Sequence, residues 1–147
     1  MPLPDPIPGL VIRYSYLWQS EHLAGREEGQ KDRPCAIIAA LRPHDDVGET
    51  RVLVLPVTHS PPAQASLAVE IPPRVKERLR LDAERSWVVL SEWNEFIWPG
   101  PDLRRAPGGD DSSVAYGMLP PRLFAIVRDR FLALVTARGA RRVPRTE

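Results

Sequence analysis

A guanidinium, two hydroxyls and an imidazole stand at the ends of two apolar stretches of this sequence. Arg33 comes directly before one apolar run, and Thr58, His59 and Ser60 come directly after another. A guanidinium presents a planar fork of donors that matches phosphate oxygens, and a threonine hydroxyl adds a neutral donor. An imidazole can exchange protons near neutral pH. This set could bind a phosphodiester, or cleave RNA with the substrate's own 2′-hydroxyl as the nucleophile.

Each of these residues also has a purely structural interpretation. Thr58 and Ser60 can simply cap the end of a strand. Arg33 can form a surface ion pair with the acidic residues at 27–28, as exposed charges commonly do. His59 can be a partly buried structural histidine. The spacing of these residues alone does not decide between the two interpretations.

Two predicted strands position these side chains. The first is RPCAIIAAL at 33–41, with its proline at the start, where proline is tolerated; the second contains the apolar run VLVL at 52–55. The segment 42–50 between them contains proline, glycine and two aspartates, which predict a turn. The two strands should therefore form a hairpin whose open end brings Arg33 near Thr58.

The remaining pattern predicts a mainly β protein. Further strands are expected at 9–18, 67–71 and 86–98, with a short internal helix that starts at 72–73 and a C-terminal helix from 120–121 to about 138. Gly139 suits the position that follows a helix end. Antiparallel strands with one long terminal helix favour a small barrel covered by that helix. We expect three regions: a proline-rich leader at 1–8, a single barrel domain at 9–138 and a basic flexible tail at 139–147.

Composition narrows the possible functions. The chain has 147 residues, a net charge of +1 and one cysteine, Cys35, which lies in an apolar run and should be a buried thiol. Three dispersed histidines and one cysteine match no zinc-like spacing, so we expect no metal. No glycine-rich nucleotide loop or GxSxG elbow is present, and we expect no cofactor. The N-terminus lacks a basic signal region and no apolar run spans a membrane, which predicts a cytoplasmic protein.

Several segments together carry a family resemblance. The opening GLVI, the segment RPCAIIA, the strand end VLPVT, the late strand SWVVLSE and the closing helix at 119–134 occur in that order. Their order and spacing resemble those of the MazF/PemK toxins, the endoribonuclease components of type II toxin–antitoxin pairs. The resemblance covers roughly residues 9–136.

The resemblance implies an SH3-like barrel with a C-terminal helix, usually dimeric, that cleaves single-stranded RNA without a metal. By position, Arg33 would contact the scissile phosphate and stabilise its developing charge, and Thr58 would hold the same phosphate. Glu28 falls where many members have an acidic loop residue, so His59 or Glu28 would move protons. Further contacts with RNA are expected from Arg26, Lys31 and Ser60.

The same resemblance predicts the partners and leaves an alternative open. The expected partners are single-stranded RNA, a cognate antitoxin and a second copy in a homodimer. The alternative is a module on the same barrel that binds a nucleic acid or a protein without cleaving, either a CcdB-like inhibitor or an inactive member. CcdB toxins act through a C-terminal helix that ends in aromatic and apolar residues, whereas this chain ends in arginines.

Overall fold

The structure, a computed structural model, describes residues 3–25, 31–42, 49–106 and 113–145. These residues form nine strands and three α-helices, so the predicted mainly β class is confirmed. The strands are β1 (Leu10–Tyr14), β2 (Arg33–Leu41), β3 (Thr50–Thr58), β4 (Ala68–Glu70), β5 (Trp87–Val89), β6 (Glu92–Trp98), β7 (Leu103–Arg104), β8 (Ala115–Met118) and β9 (Arg141–Pro144). The helices are α1 (Gln19–Leu23), α2 (Pro73–Arg78) and α3 (Pro121–Thr136). Among the described helices, none has the combination of length and apolar composition that crossing a bilayer requires.

The predicted hairpin of β2 and β3 is the centre of the sheet. Strand β1 pairs with the free edge of β2, and β7 and β8 pair with β1 in turn. The free edge of β3 pairs first with β6 and then with β5, and β4 pairs with β5. These pairs are all antiparallel, whereas β9 runs parallel to β6. The hairpin is therefore held on both edges, which fixes its open end.

The described sheet does not close into the predicted barrel. Closure requires hydrogen bonds between the two outer strands, but the main path of the sheet ends at β4 and β7, which are not paired with each other. Both are very short, and prolines adjoin them: Pro72 and Pro73 soon after β4, and Pro99 and Pro101 shortly before β7. Because proline has no N–H to donate, it stops a ladder at an edge. The sheet consequently stays open.

Both faces of the hairpin are buried. One face packs against α2 and α3 through a cluster that includes Leu55, Val75 and Phe131. The other face forms a second cluster, in which Tyr14 stacks on Phe96 with ring centroids 4.6 Å apart. Burial on both sides explains why β2 and β3 are continuous apolar runs, and each large side chain buried there contributes roughly 1.5–3 kcal/mol.

Cys35 lies in the second of these clusters and is completely buried. The predicted buried thiol is thus confirmed. Burial raises the pKa of the Cys35 thiol, which the nearby Arg33 guanidinium only partly offsets. A thiol that stays protonated and inaccessible is a poor nucleophile, so Cys35 is structural.

The end of the chain differs from prediction. Helix α3 ends before Gly139, and Arg138 takes the left-handed position after it, with φ of 60°. The tail was expected to be flexible, yet residues 141–144 form β9 and Val143 is buried. Arg145, which follows β9, is buried in an ion pair with Asp102 at 3.0 Å, and this contact anchors the segment that contains β9.

Candidate functional site

The open end of the β2–β3 hairpin brings the predicted site residues together. The register pairs Cys35 with Pro56, and two residues further along the ladder Arg33 comes opposite Thr58. Arg33 Nη1 donates to the carbonyl oxygen of Val57 at 3.4 Å, and this hydrogen bond links the two strands at the open end of the hairpin. A cleft of about 360 Å³ opens at this point and is lined by Lys31, Arg33, Thr58, His59 and Ser60, among other residues.

The Arg33 guanidinium is held in place by contacts that do not use all of its hydrogen-bond donors. It lies over the indole ring of Trp18, with Cζ 4.9 Å from the ring centroid. Its Nε is buried and has no hydrogen-bond partner among the described residues, and no described carboxylate forms an ion pair with it. A stacked guanidinium keeps its plane fixed, and because Arg33 lines the cleft, the Nη donors that do not bind Val57 stay available for an anion.

Thr58 is also held in a way that leaves a donor available. Its Oγ1 accepts a hydrogen bond from the backbone N–H of Ser60 at 3.2 Å. With one lone pair used as an acceptor, the hydroxyl hydrogen can turn toward the cleft. The strand-capping interpretation of Thr58 is therefore correct in part, and it does not exclude a phosphate contact.

His59 faces two carboxylates. Its Nε2 lies 2.7 Å from Asp82 Oδ2, and its Nδ1 lies 3.6 Å from Glu84 Oε2. The first distance is a hydrogen bond, and the second is too long for one. The side chain is 51% exposed, so His59 is not a core histidine. The structure thus places an oriented imidazole at the rim of the cleft.

Lys76 determines where Asp82 points. Lys76 lies on α2, is only 5% exposed, and donates to Asp82 Oδ1 and Ser86 Oγ, both at 2.6 Å, and to the backbone oxygen of Glu84. All three N–H bonds of the ammonium group are used. Asp82 therefore presents Oδ1 to Lys76 and Oδ2 to His59.

The backbone after α2 makes this contact possible. Arg80 adopts a left-handed conformation with φ of 58°, and the N–H of Leu81 donates to the carbonyl oxygen of Lys76 at 2.9 Å. This is the Schellman pattern that reverses a chain at a helix end. The reversal returns Asp82 toward the helix it has just left.

The pKa of Asp82 is lowered from its ordinary value. Partial burial of its carboxyl would raise the pKa, but the hydrogen bonds from Lys76 and His59 outweigh burial and lower it. Asp82 therefore stays ionised and can hold the imidazole in one orientation.

A second cleft, of about 380 Å³, adjoins the first. It shares Arg33, Thr58 and Ser60 with the first cleft and adds a mostly apolar wall formed by Trp18, Pro61, Pro62, Ala63, Leu67, Ala68, Val89 and Ser91. A flat apolar group could enter here while an anion stays at the hairpin end.

Two of the predicted site residues cannot be placed. Glu28 and Arg26 belong to residues 26–30, which lie outside the described part of the chain. Sequence reasoning also missed Lys76, Asp82 and Glu84. The one local signal was an acid just after a short helix that carries a lysine, and this is too common to predict a site.

Comparison with known protein families finds no match to this chain, and comparison with curated protein sequences finds none either. The MazF/PemK resemblance and the roles assigned through it therefore stay predictions.

Proposed function

We propose that this protein is a MazF/PemK-type endoribonuclease, the toxin of a toxin–antitoxin pair, and that it cleaves single-stranded RNA in the cytoplasm without a metal. The observation that carries the proposal is the meeting of Arg33, Thr58 and His59 at one cleft. A phosphate group there would find a guanidinium, a hydroxyl donor and a proton-exchanging group within one site.

The reaction would use the substrate's own nucleophile. The 2′-hydroxyl oxygen attacks phosphorus, the bond to the 5′ oxygen breaks, and the products carry a 2′,3′-cyclic phosphate and a 5′-hydroxyl. In this scheme His59 takes the 2′-hydroxyl proton, and Asp82 stabilises the imidazolium that forms. The sequence predicts that His59 or Glu28 moves protons, so with His59 as the base, Glu28 would be the acid that protonates the departing oxygen.

Arg33 and Thr58 would act on the phosphate itself. Charge builds on the non-bridging oxygens as the fifth bond to phosphorus forms, so fixed donors aimed at them favour the transition state. The guanidinium is already oriented by Trp18 and by the Val57 carbonyl, which means that little reorganisation is needed.

The second cleft supports a single-stranded substrate. Its apolar wall, which includes Trp18, Pro61 and Leu67, begins at the residues that would hold the phosphate. A nucleobase adjacent to that phosphate could pack there only if it were unstacked from its neighbours. Duplex RNA keeps its bases stacked, so it should be a poor substrate.

The partner proteins follow from the same site. We propose that the antitoxin blocks the cleft with an extended or helical segment, whose carboxylates would compete with phosphate for Arg33. A homodimer is part of the same proposal.

Cleavage of a mixed-sequence RNA by the purified protein in EDTA tests this function. Wild type should cut the RNA, and Arg33→Ala should cut it at least about 100-fold more slowly. Arg51→Ala is the matched control, because Arg51 is an exposed arginine on β3 that pairs with Glu95 and does not line the cleft. RNA that is bound but stays intact would instead favour a non-cleaving module that binds nucleic acid, and RNA that is neither bound nor cut would contradict the proposed function.

A further inference from the structure

We propose that His59, Asp82 and Glu84 form a site for a divalent transition-metal ion, with Zn²⁺ as the test ion, and that the bound ion inhibits the enzyme. One nitrogen of His59 and one oxygen from each carboxylate lie within 4.8 Å of one another. Imidazole and carboxylate are both ligands of zinc. The binding site stands on this geometry alone, whereas the inhibition rests on the proposed function.

The geometry needs little change to accept an ion. Zinc binds nitrogen and carboxylate oxygen at roughly 2.0–2.2 Å, so two ligand atoms on one ion lie about 3 Å or more apart. His59 Nε2 and Asp82 Oδ2 are 2.7 Å apart and are joined by one hydrogen bond, so an ion would replace the proton between them. The side chains of His59, Asp82 and Glu84 are 51%, 50% and 73% exposed, which leaves them free to adjust and open to an incoming ion.

Lys76 prepares the cluster without blocking it. The ammonium binds Asp82 through Oδ1, so Oδ2 stays directed at the imidazole. Its bonds to Ser86 and to the Glu84 carbonyl fix the backbone that carries both acids. Mutation of residues that orient metal ligands in this way commonly lowers metal affinity by about 10–100-fold. One ammonium against two carboxylates also leaves an excess negative charge when the imidazole is neutral.

An ion at this site would compete with catalysis rather than assist it. A metal bound to His59 takes the lone pair that the 2′-hydroxyl proton needs. Arg33 and Thr58 are outside the cluster and would still hold the phosphate, so zinc should lower kcat far more than it raises KM.

Calorimetric titration of EDTA-treated, dialysed protein with Zn²⁺ tests the binding site without any RNA. We expect one ion per chain, with affinity at least about tenfold weaker in His59→Gln and in Glu84→Gln. Glu77→Gln is the matched control, because Glu77 is an exposed acid on α2 outside the cluster. The Zn²⁺ affinity of this variant should equal that of wild type. No binding by wild type, or equal binding by all four proteins, would overturn the site.

RNA cleavage with and without Zn²⁺ tests the inhibition separately. Wild type and Glu77→Gln should lose activity with added zinc, and Glu84→Gln should need at least about tenfold more zinc for the same loss. Zinc binding with no effect on cleavage would overturn the regulatory role. A protein that binds zinc but cuts no RNA in EDTA would contradict the proposed function and leave the metal site intact.

Discussion

His59 and Asp82 are 23 residues apart in the sequence, yet His59 Nε2 lies 2.7 Å from Asp82 Oδ2. His59 sits just after the end of the central hairpin, whereas Asp82 follows a short helix on the other side of β4. Their contact joins two separate parts of the chain at one rim of the cleft. It gives His59 a fixed orientation that its own strand does not provide.

Arg33→Lys should separate charge from shape at the phosphate position. Lysine keeps the positive charge but loses the planar fork and the stacking on Trp18, so we expect kcat/KM to fall about 10–100-fold. Initial rates on a short RNA measure this effect. A lysine variant as active as wild type would show that Arg33 acts only through its charge.

Thr58→Val should isolate the contribution of one hydroxyl. Valine has nearly the same shape, so the loss of a single donor to phosphate should lower kcat/KM about tenfold. Thr58→Ser keeps the hydroxyl and should stay within about twofold of wild type. If both variants cut RNA equally well, Thr58 serves only to cap its strand.

Asp82→Asn should reveal a pH-dependent part of the stability. Folding lowers the pKa of Asp82 from its ordinary value of 3.8, so the unfolded chain takes up this proton more readily than the folded protein. The contribution of Asp82 is therefore complete above about pH 5 and is lost as the pH falls through its lowered pKa. The difference in unfolding free energy between wild type and variant, measured by urea denaturation, should shrink as the solution is acidified. A difference that stays constant would contradict this assignment.

Arg145→Met should destabilise the protein by about 3–5 kcal/mol, because it leaves the carboxylate of Asp102 buried without its ion pair. Arg142→Met is the matched control on the same strand. Arg142 is 57% exposed and lies 3.6 Å from Glu95, so its loss should cost less than about 1 kcal/mol. Denaturant unfolding of the two variants compares them directly, and equal losses would argue against a special contribution of the buried Arg145–Asp102 ion pair.

The hairpin and its open end could be predicted from local signals. Apolar runs, a proline at the start of β2 and a polar turn together indicate a pairing that puts Arg33 near Thr58, and the structure has this pairing. The cluster around Lys76 could not be predicted in this way. It depends on the left-handed backbone of Arg80, and arginine is not a residue type that predicts a turn. It also depends on Lys76, which in the sequence resembles an ordinary charged residue on a helix surface.

The prediction of a closed barrel was wrong, and residues 141–144 of the predicted flexible tail form a strand, for a related reason. Strand count indicates a sheet but not whether its outer strands meet, and here very short strands beside prolines leave it open. The basic tail looked solvent-exposed because its composition is polar. Only the tertiary contact of Arg145 with Asp102 shows that part of it is buried.

Identification of the RNA ends tests the central claim most directly. A short RNA and the same oligonucleotide with a single 2′-deoxy sugar at the cleaved position are incubated with the protein in EDTA, and the products are weighed by mass spectrometry. The account predicts a 2′,3′-cyclic phosphate and a 5′-hydroxyl from the RNA, and no cleavage at the 2′-deoxy position. Cleavage of the 2′-deoxy substrate, or products with a 5′-phosphate, would contradict it.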